Sequence, residues 1–522
     1  MNFDMAPRAN ECCEAADVCL VVEGCYPYIS GGVSNWINWL IKSQEHLTFS
    51  VVAIVAGAGQ RQVRYERPAN LVTFQELNVS DPATLAKGVP KATVDQLECA
   101  SKLAEATSQL IAGGGAREFA EVLGCLRASK MALTLPTLLN SPVAWNMVQG
   151  TYRTLAPNAS FLQFFWAWRA LVGGLFAVAS FQLPKARTYH AVSTGYAGLL
   201  AARTRIETGC PTILTEHGIY TSERRIEIMM ARWLSDTIEK GLAIDDERRD
   251  VRDIWIDAFD SYARCCYEAS SFIVTLFTEN QELQRSFGAE PRKLSIIPNG
   301  IDVSAYKDIG RPTAADRPTM ALIGRVVSIK DVKTYIAAAA VIREHIPDIR
   351  ALVMGPTDEE PSYFAECIEM VEQLRLEDCV IFTGNVRLSD YLSSIHVVVL
   401  TSVSEAQPLV LLEAGAAGIP CVTTNVGCCK DLLLGAPDEV PNLGKAGYVT
   451  DVLAPDQTAA AVVHLLRNQA EQEAMGNVMR SRIASYYTLS QARQSYSELY
   501  EKSFSIARFS SSEIQYSSSE VQ

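Results

Sequence analysis

The sequence contains no D-x-D, no C-x-x-C and only six histidines in 522 residues. Without D-x-D, the usual carboxylate bridge to Mg²⁺ or Mn²⁺ has no obvious ligands. Without C-x-x-C, or any Cys/His set at zinc-finger spacing, a metal site is not expected. Positive charge is short too: 46 Lys and Arg stand against 59 Asp and Glu, for a net charge of −13. That excludes a general nucleic-acid binder and leaves room only for a local basic cleft. The first residues carry Asp4, Glu11 and Glu14 but neither a basic n-region nor an apolar h-region, so no secretory signal is expected. Fourteen cysteines, with adjacent pairs at Cys12-Cys13, Cys265-Cys266 and Cys428-Cys429, are scattered along the chain. Such scatter reads as free thiols in a reducing compartment, which makes the cytoplasm the expected location.

What is present is a large soluble α/β pattern. Hydrophobic content of 48% and charged content of 20% are ordinary, and 522 residues should form at least two domains. Apolar runs at 17–23, 49–55, 188–193, 211–215, 271–276 and 293–297 alternate with helical patterns, as in a doubly wound parallel sheet. Residues from about 76 to 185 interrupt this alternation as a helical insertion. Within the insertion, 161–183 is apolar and long enough to span a bilayer, but Arg169 lies near its middle. It is read as a buried or interfacial helix; contact with a membrane partner through Phe164, Phe165, Trp166 and Trp168 is the second reading. Residues 222–265 read as charged and helical, with Arg224, Arg225, Arg248 and Arg249 on exposed faces. Around 306–317 the pattern breaks, and the first domain is expected to end at 310. A second α/β half follows over 311–488, with runs at 319–323, 350–354, 380–383, 396–400 and 419–423. A last amphipathic helix (489–509) and a disordered Ser-rich tail (510–522) complete the expected organisation.

Chemistry concentrates where strands end. The run His396-Val-Val-Val-Leu400 leads into Ser-Val-Ser-Glu405-Ala-Gln-Pro408, and Pro408 is suited to the first helical position. The helix start offers free N–H groups to an anion. Glu405 precedes the helix and Glu413 lies on it, and a carboxylate near a helix start suits a ribose diol. Arg325 and Lys330 follow the strand 319–323, and a guanidinium fork with an ammonium point charge is what a diphosphate requires. In the first half, Gly31-Gly32 would permit close approach of a ligand, and His217 ends the strand 211–215 beside Gly218, where ligands bind in such sheets. The bland alternatives are a tight turn for the glycines, a local cap for His217 and complementation of the helix dipole for the acids. Taken together, the parts fit glycosyl transfer from a nucleoside diphosphate, with cations neutralising the leaving phosphate.

These residues resemble a family. Glu405-x7-Glu413, Gly324-Arg325-x4-Lys330, Pro298-Asn-Gly-Ile-Asp302 and Gly31-Gly32-Val33 together look like the retaining glycosyltransferase family 4, of GT-B fold. The opening Glu23-Gly-Cys-Tyr-Pro-Tyr-Ile-Ser-Gly-Gly-Val-Ser-Asn-Trp36 is similar to a narrower group, the cytoplasmic transferases of Pel exopolysaccharide synthesis. So are Phe165-Trp-Ala-Trp-Arg-Ala-Leu-Val-Gly-Gly174, Tyr189-His-Ala-Val-Ser-Thr-Gly-Tyr-Ala-Gly198 and Thr215-Glu-His-Gly-Ile-Tyr220. The resemblance implies two facing Rossmann-like domains and a last helix that crosses back to the first. It implies a UDP-sugar donor, no metal or other cofactor, a polysaccharide acceptor, and a polysaccharide export or synthase complex at the inner membrane as partner. By resemblance, Arg325 and Lys330 hold the donor diphosphate, completed by the backbone amides of Leu409 and Val410. Glu413 takes the ribose hydroxyls, Glu405 faces the donor sugar and Val386 lies near the uracil. Gly31 and Gly32 approach the donor phosphate, and His217 sits beside the transferred hexose. Ala406 stands where many family members have glycine, which bears on donor preference. A non-catalytic UDP-sugar-binding subunit that regulates a polymerase is the rival expectation.

Overall fold

The computed structural model describes residues 15–517 except 58, 60, 81–93, 129–134, 158, 231–250 and 314. The chain forms two compact units, Met1–Ile296 with Tyr496–Gln522, and Ile297–Ser495. The expected boundary at 310 therefore falls earlier, at 296/297. The reason is local: the Ile301 amide donates to the Tyr487 carbonyl at 2.9 Å and the Leu489 amide to the Ile301 carbonyl at 3.0 Å, which ties this stretch to the second unit.

The first unit is built on a seven-stranded sheet in the order β3-β2-β1-β4-β5-β6-β7. Its strands are β1 (Ala16–Glu23), β2 (Phe49–Val55), β3 (Leu71–Asn78), β4 (Ala186–Ala191), β5 (Thr212–Glu216), β6 (Phe272–Thr275) and β7 (Leu294–Ile296). All pair in parallel. Residues of β1 and β2 are almost wholly buried, as expected of strands covered by helices on both faces. The order reverses between β1 and β4, and ligand crevices in such sheets open at this switch point.

Among the described residues, five helices lie in the connection from β3 to β4: Val94–Ile111, Ala116–Ala128, Leu135–Asn140, Pro142–Leu155 and Phe161–Ser180. The insertion thus begins later than expected, because residues 76–78 complete β3. Ser141 caps the fourth helix, accepting from the Val143 amide at 3.1 Å, with Pro142 at its first position. Phe161–Ser180 is long and apolar enough to cross a membrane, and most of it is buried in the unit's core. Arg169 is satisfied there by the Leu139 carbonyl and the Asn140 side-chain oxygen. Gly174 allows the helix to lie on Tyr196, since a Cβ would fall 2.4 Å from that ring.

The second unit repeats the plan with a six-stranded parallel sheet in the order β10-β9-β8-β11-β12-β13. Its strands are β8 (Thr319–Ile323), β9 (Arg350–Met354), β10 (Val380–Gly384), β11 (Val397–Leu400), β12 (Cys421–Thr424) and β13 (Gly447–Thr450). Here the switch point lies between β8 and β11. The helix Gln469–Tyr486 carries Arg482, which is 1% exposed and held by Glu439 and by the carbonyls of Leu432, Leu433 and Gly444.

The last helix, Leu489–Ser517, starts within the second unit and packs in the first from Tyr496 onward. It extends to Ser517, so the disordered tail expected from 510 is helical over most of its length; 518–522 lie outside the described residues. Thr188 and Ser503 hydroxyls bond at 2.7 Å, and the Tyr500 hydroxyl meets His190 Nδ1 at 2.8 Å. Arg224 is not on an open face as expected. It stacks on Tyr220 and Phe259 and bonds the Tyr220 hydroxyl at 2.8 Å, whereas Arg225 is exposed and pairs with Asp260. Arg248 and Arg249 lie outside the described residues.

Candidate functional site

In the second unit, the loops after β8 and β11 meet across the switch point. The Thr401 hydroxyl donates to the Lys330 and Asp331 carbonyls at 3.1 and 2.8 Å, and the Val403 amide donates to the Ile329 carbonyl at 3.0 Å. Asp331 adopts φ of 46° and caps the helix Val332–His345 by accepting from the Thr334 amide. Lys330, just before it, is thereby fixed with its ammonium against Glu405 in an ion pair. The Ser402 hydroxyl donates to the same Glu405 oxygen at 2.7 Å. The 405–406 backbone is in turn packed on Gly427, where a Cβ would lie 2.3 Å from the Glu405 and Ala406 carbonyls.

Pro408 is the N-cap of the helix Leu409–Ala417 rather than its first residue, one position earlier than the sequence suggests. Leu409 and Val410 therefore occupy the first two helical positions, whose N–H groups have no partner within the helix. Glu413, one turn on, is half-buried. Burial raises its carboxyl above the usual range, a rise that the nearby Tyr306 hydroxyl only partly opposes. Arg325 does not join Lys330. It is half-exposed and paired with Glu359 on the loop after β9. Val386 is half-buried on the loop after β10. That loop is linked to the one after β9 by the Gly355 amide and Gly384 carbonyl at 3.0 Å, and the β9 end to the β8 loop by the Gly324 amide and Met354 carbonyl at 2.9 Å. Arg325, Lys330, Val386, Glu405, Leu409, Val410 and Glu413 thus all lie beyond the carboxyl ends of β8, β10 and β11. Among them, Lys330 and Glu405 are joined by an ion pair. Tyr306, Glu359 and Ser402 were missed from the sequence; each is near in space to a residue remote or unremarkable in the chain.

In the first unit, Gly31 and Gly32 follow β1 at the start of the helix Gly32–Ser43. A Cβ on either would meet nothing within 4 Å, so no packing inside the protein requires glycine there. Four residues on, Trp36 stands edge-to-face with His217 at 4.5 Å between ring centroids, and with Tyr496 at 5.4 Å. Both His217 nitrogens are buried with no hydrogen-bond partner among the described residues. Burial pushes its pKa down to about 4, so the imidazole is neutral at physiological pH. Ring packing, and not a hydrogen bond, orients it. Beside it Glu216 is fully enclosed, accepting from the Tyr267 hydroxyl at 2.7 Å and Gln284 Nε2 at 2.9 Å, and burial raises it to about 7. Among the described residues, no three His, Cys, Asp or Glu side chains are grouped as a metal site would need.

Comparison with known proteins divides along the chain. Residues 16–292 match the family described as Domain of unknown function (DUF3492), and residues 308–482 match Glycosyl transferases group 1. Among curated relatives, the D-inositol 3-phosphate glycosyltransferase of Kineococcus radiotolerans is 29% identical over 228 residues, 40% of this chain and 52% of that protein. The protein so described in Pseudarthrobacter chlorophenolicus is 30% identical over 210 residues, 38% of this chain and 47% of its own length. The chain spans about half the length of these relatives. Among solved structures, the sucrose-phosphate synthase of Thermosynechococcus elongatus is similar with a TM-score of 0.57 and 16% identity, over 94% of this chain and 99% of that one. HepE of Anabaena, solved in complex with UDP, gives 0.55 and 12%, over 93% and 100%. These likenesses are of fold: two Rossmann-like parallel-sheet domains, as in GT-B proteins.

Proposed function

We propose, from the premise that the chain belongs to the family described as Domain of unknown function (DUF3492), that it is a retaining, metal-independent glycosyltransferase. It moves a hexose or N-acetylhexosamine from a UDP-sugar to a growing exopolysaccharide. The observation that carries this reading is the Lys330–Glu405 pair at the switch point of the second sheet, beside a helix start with free N–H groups. An ammonium and backbone amides at that place suit a diphosphate, and the match to group 1 glycosyl transferases spans all of these residues.

In this reading Lys330 and Arg325 bind the donor diphosphate, each leaving its carboxylate partner to do so. Leu409 and Val410 add backbone donors, Glu413 accepts from the ribose hydroxyls, and Val386 lies against the base. Glu405, released by Lys330, turns to the hydroxyls of the sugar. By resemblance alone, Gly31 and Gly32 serve the phosphate and His217 the transferred sugar. The anomeric C–O bond to the diphosphate breaks as the acceptor hydroxyl attacks the same face, and the acceptor's proton passes to the departing phosphate oxygen. The cations stabilise the charge that grows on that phosphate, the moment at which fixed charge matters most. Metal independence rests on the missing D-x-D and on these cations.

The opening motif from Glu23 to Trp36 supports the narrower assignment, a cytoplasmic transferase like PelF acting with an inner-membrane polysaccharide complex. A calorimetric screen of UDP-, GDP- and ADP-sugars tests the donor. Preference for UDP-sugars is expected, and tighter binding of a GDP- or ADP-sugar would overturn it. UDP release in the presence of a polysaccharide acceptor then separates an enzyme from a binding subunit, which would bind UDP and release none.

A further inference from the structure

The aromatic start of the helix Phe161–Ser180 divides between two environments. Phe164 and Trp168 are buried in the core of the first unit, whereas Leu162 and Trp166 are 66% and 60% exposed. Trp145, on the helix Pro142–Leu155, is 47% exposed and stands edge-on to Phe161, 5.7 Å between ring centroids. Phe165 lies 6.4 Å from Trp145 and 5.2 Å from Trp166, so the rings form one patch across two helices. The charge around them is one-sided. Between Glu121 and Glu207 the sequence has no Asp or Glu over 85 positions, in a chain with 59 such residues in 522. The same span holds eight Lys and Arg, against a net charge of −13 for the whole chain. Arg127 and Arg203 find Glu207 beyond its end, and Arg187 finds Asp17. Two further cations flank the patch. Arg153 is exposed and follows Tyr152, whose ring meets Phe161 at 5.1 Å. Arg169, one turn beyond Phe165 and Trp166, is held by two neutral oxygens, the Leu139 carbonyl and the Asn140 side chain. With no acid in the span, neither has a local carboxylate to neutralise it.

We propose that this patch rests on the surface of an anionic lipid bilayer. Tryptophan and phenylalanine suit headgroup depth, where an apolar ring is sheltered and the indole N–H stays wet. Cations beside the rings would meet lipid phosphates, and an acid there would be repelled. A protein core excludes acids at buried positions only. Here exposed positions lack them too, and Asn146, Thr154 and Gln163 carry neutral polar groups instead. The negative charge of the chain as a whole turns its other faces away from the same surface. Because most of Phe161–Ser180 is buried in the fold, the contact lies on the bilayer and does not cross it. The inference uses no assignment of a catalytic or donor-binding residue, so its failure would leave the proposed reaction standing.

Co-sedimentation of the full chain with vesicles tests this, one set of phosphatidylcholine and one of equal parts phosphatidylcholine and phosphatidylglycerol. Wild type is expected to bind the mixed vesicles about tenfold or more tightly than phosphatidylcholine alone. Trp145→Ser combined with Trp166→Ser should weaken that binding by about tenfold or more. Arg153→Ala should weaken it by about fivefold, the worth of one cation near such a surface. All three changes fall on exposed side chains, which spares the core. Binding to the mixed vesicles that either variant leaves unchanged overturns the inference, and so does equal binding to the two lipids. A wild-type dimer that the double tryptophan variant dissolves also overturns it, since a second copy would then cover the patch. Wild type that binds neither set of vesicles overturns it as well and leaves the patch to a protein partner.

Discussion

Lys330 and Glu405 form an ion pair across the junction of β8 and β11, 75 residues apart in sequence and side by side at the switch point. The pair keeps the lysine in place without a ligand, and it gives Glu405 an orientation that a mobile loop would not. Arg325 has a looser partner: it and Glu359 are each about half exposed, at 51% and 50% of their side-chain surface.

Replacing either cation should weaken UDP binding. Arg325→Ala and Lys330→Ala are each expected to cost about 1.5–3 kcal/mol, the range for a hydrogen bond to a charged group. Titration calorimetry reads this directly. UDP affinity unchanged in both variants would sink the donor-site assignment.

In the proposed reaction His217 contributes position and not charge. Its imidazole titrates near 4 because burial opposes the charged form. The rate of UDP release with acceptor present should therefore show no inflection from this group between about pH 5 and 8. His217→Ala should lower that rate by about tenfold or more while UDP affinity stays within about twofold. A rate equal to wild type would remove His217 from the site.

Glu216 makes stability fall as pH rises. Its folded-state pKa is about 7 against an ordinary 4.5. Between those values the native chain holds a proton that the unfolded chain has lost, so alkalinity favours unfolding. Below that window both states are protonated and the effect vanishes. Glu216→Gln keeps polar atoms for Tyr267, Gln284 and the Thr194 hydroxyl, which also donates to Glu216, but cannot ionise. Its stability advantage over wild type, measured by urea unfolding, should be near zero at pH 4 and grow to about 2–3 kcal/mol by pH 8. An advantage that does not change with pH would contradict this account.

Arg482 and Glu439 are both buried, with side chains 1% and 4% exposed. Arg482→Ala would leave the Glu439 carboxylate without its cation, at a cost of about 3–5 kcal/mol in the unfolding of the second unit. The double change Arg482→Met with Glu439→Leu should recover most of that loss, because neither charge then remains buried. Failure of the double variant to recover would show that the carbonyls of Leu432, Leu433 and Gly444 matter more than the acid.

Every inner strand was legible in the sequence, and so were the edge strands β7 and β10. β1, β2, β8 and β11 are continuous apolar runs because helices cover both faces. The two strands that sequence reasoning missed, β3 and β13, are edge strands. Leu71–Asn78 mixes Thr, Gln, Glu and Asn with its apolar residues, and Gly447–Thr450 is only four residues long. An edge strand has one neighbour and partial cover, so its pattern weakens. The residues proposed for the site at 325, 330, 405 and 413 stand out in the sequence because each sits at a fixed offset from a readable strand or helix start. Trp36 meets His217 and Tyr496 only in the folded chain, so nothing local announces it. Arg224 misled for the same reason, since nothing local announces that Tyr220 and Phe259 will stack on it.

The first unit is sewn shut by residues that follow the whole of the second. Trp36 packs on Tyr496, Phe49 on Tyr500 and Arg187 on Phe504, while His190 bonds Tyr500. During synthesis the first sheet must therefore wait, with Trp36 and Phe49 uncovered, until residues 496–504 have emerged some two hundred positions later. A fragment ending at Ile296 would carry that bare apolar surface permanently. Supplying residues 489–517 as a separate peptide should therefore quench its tendency to aggregate.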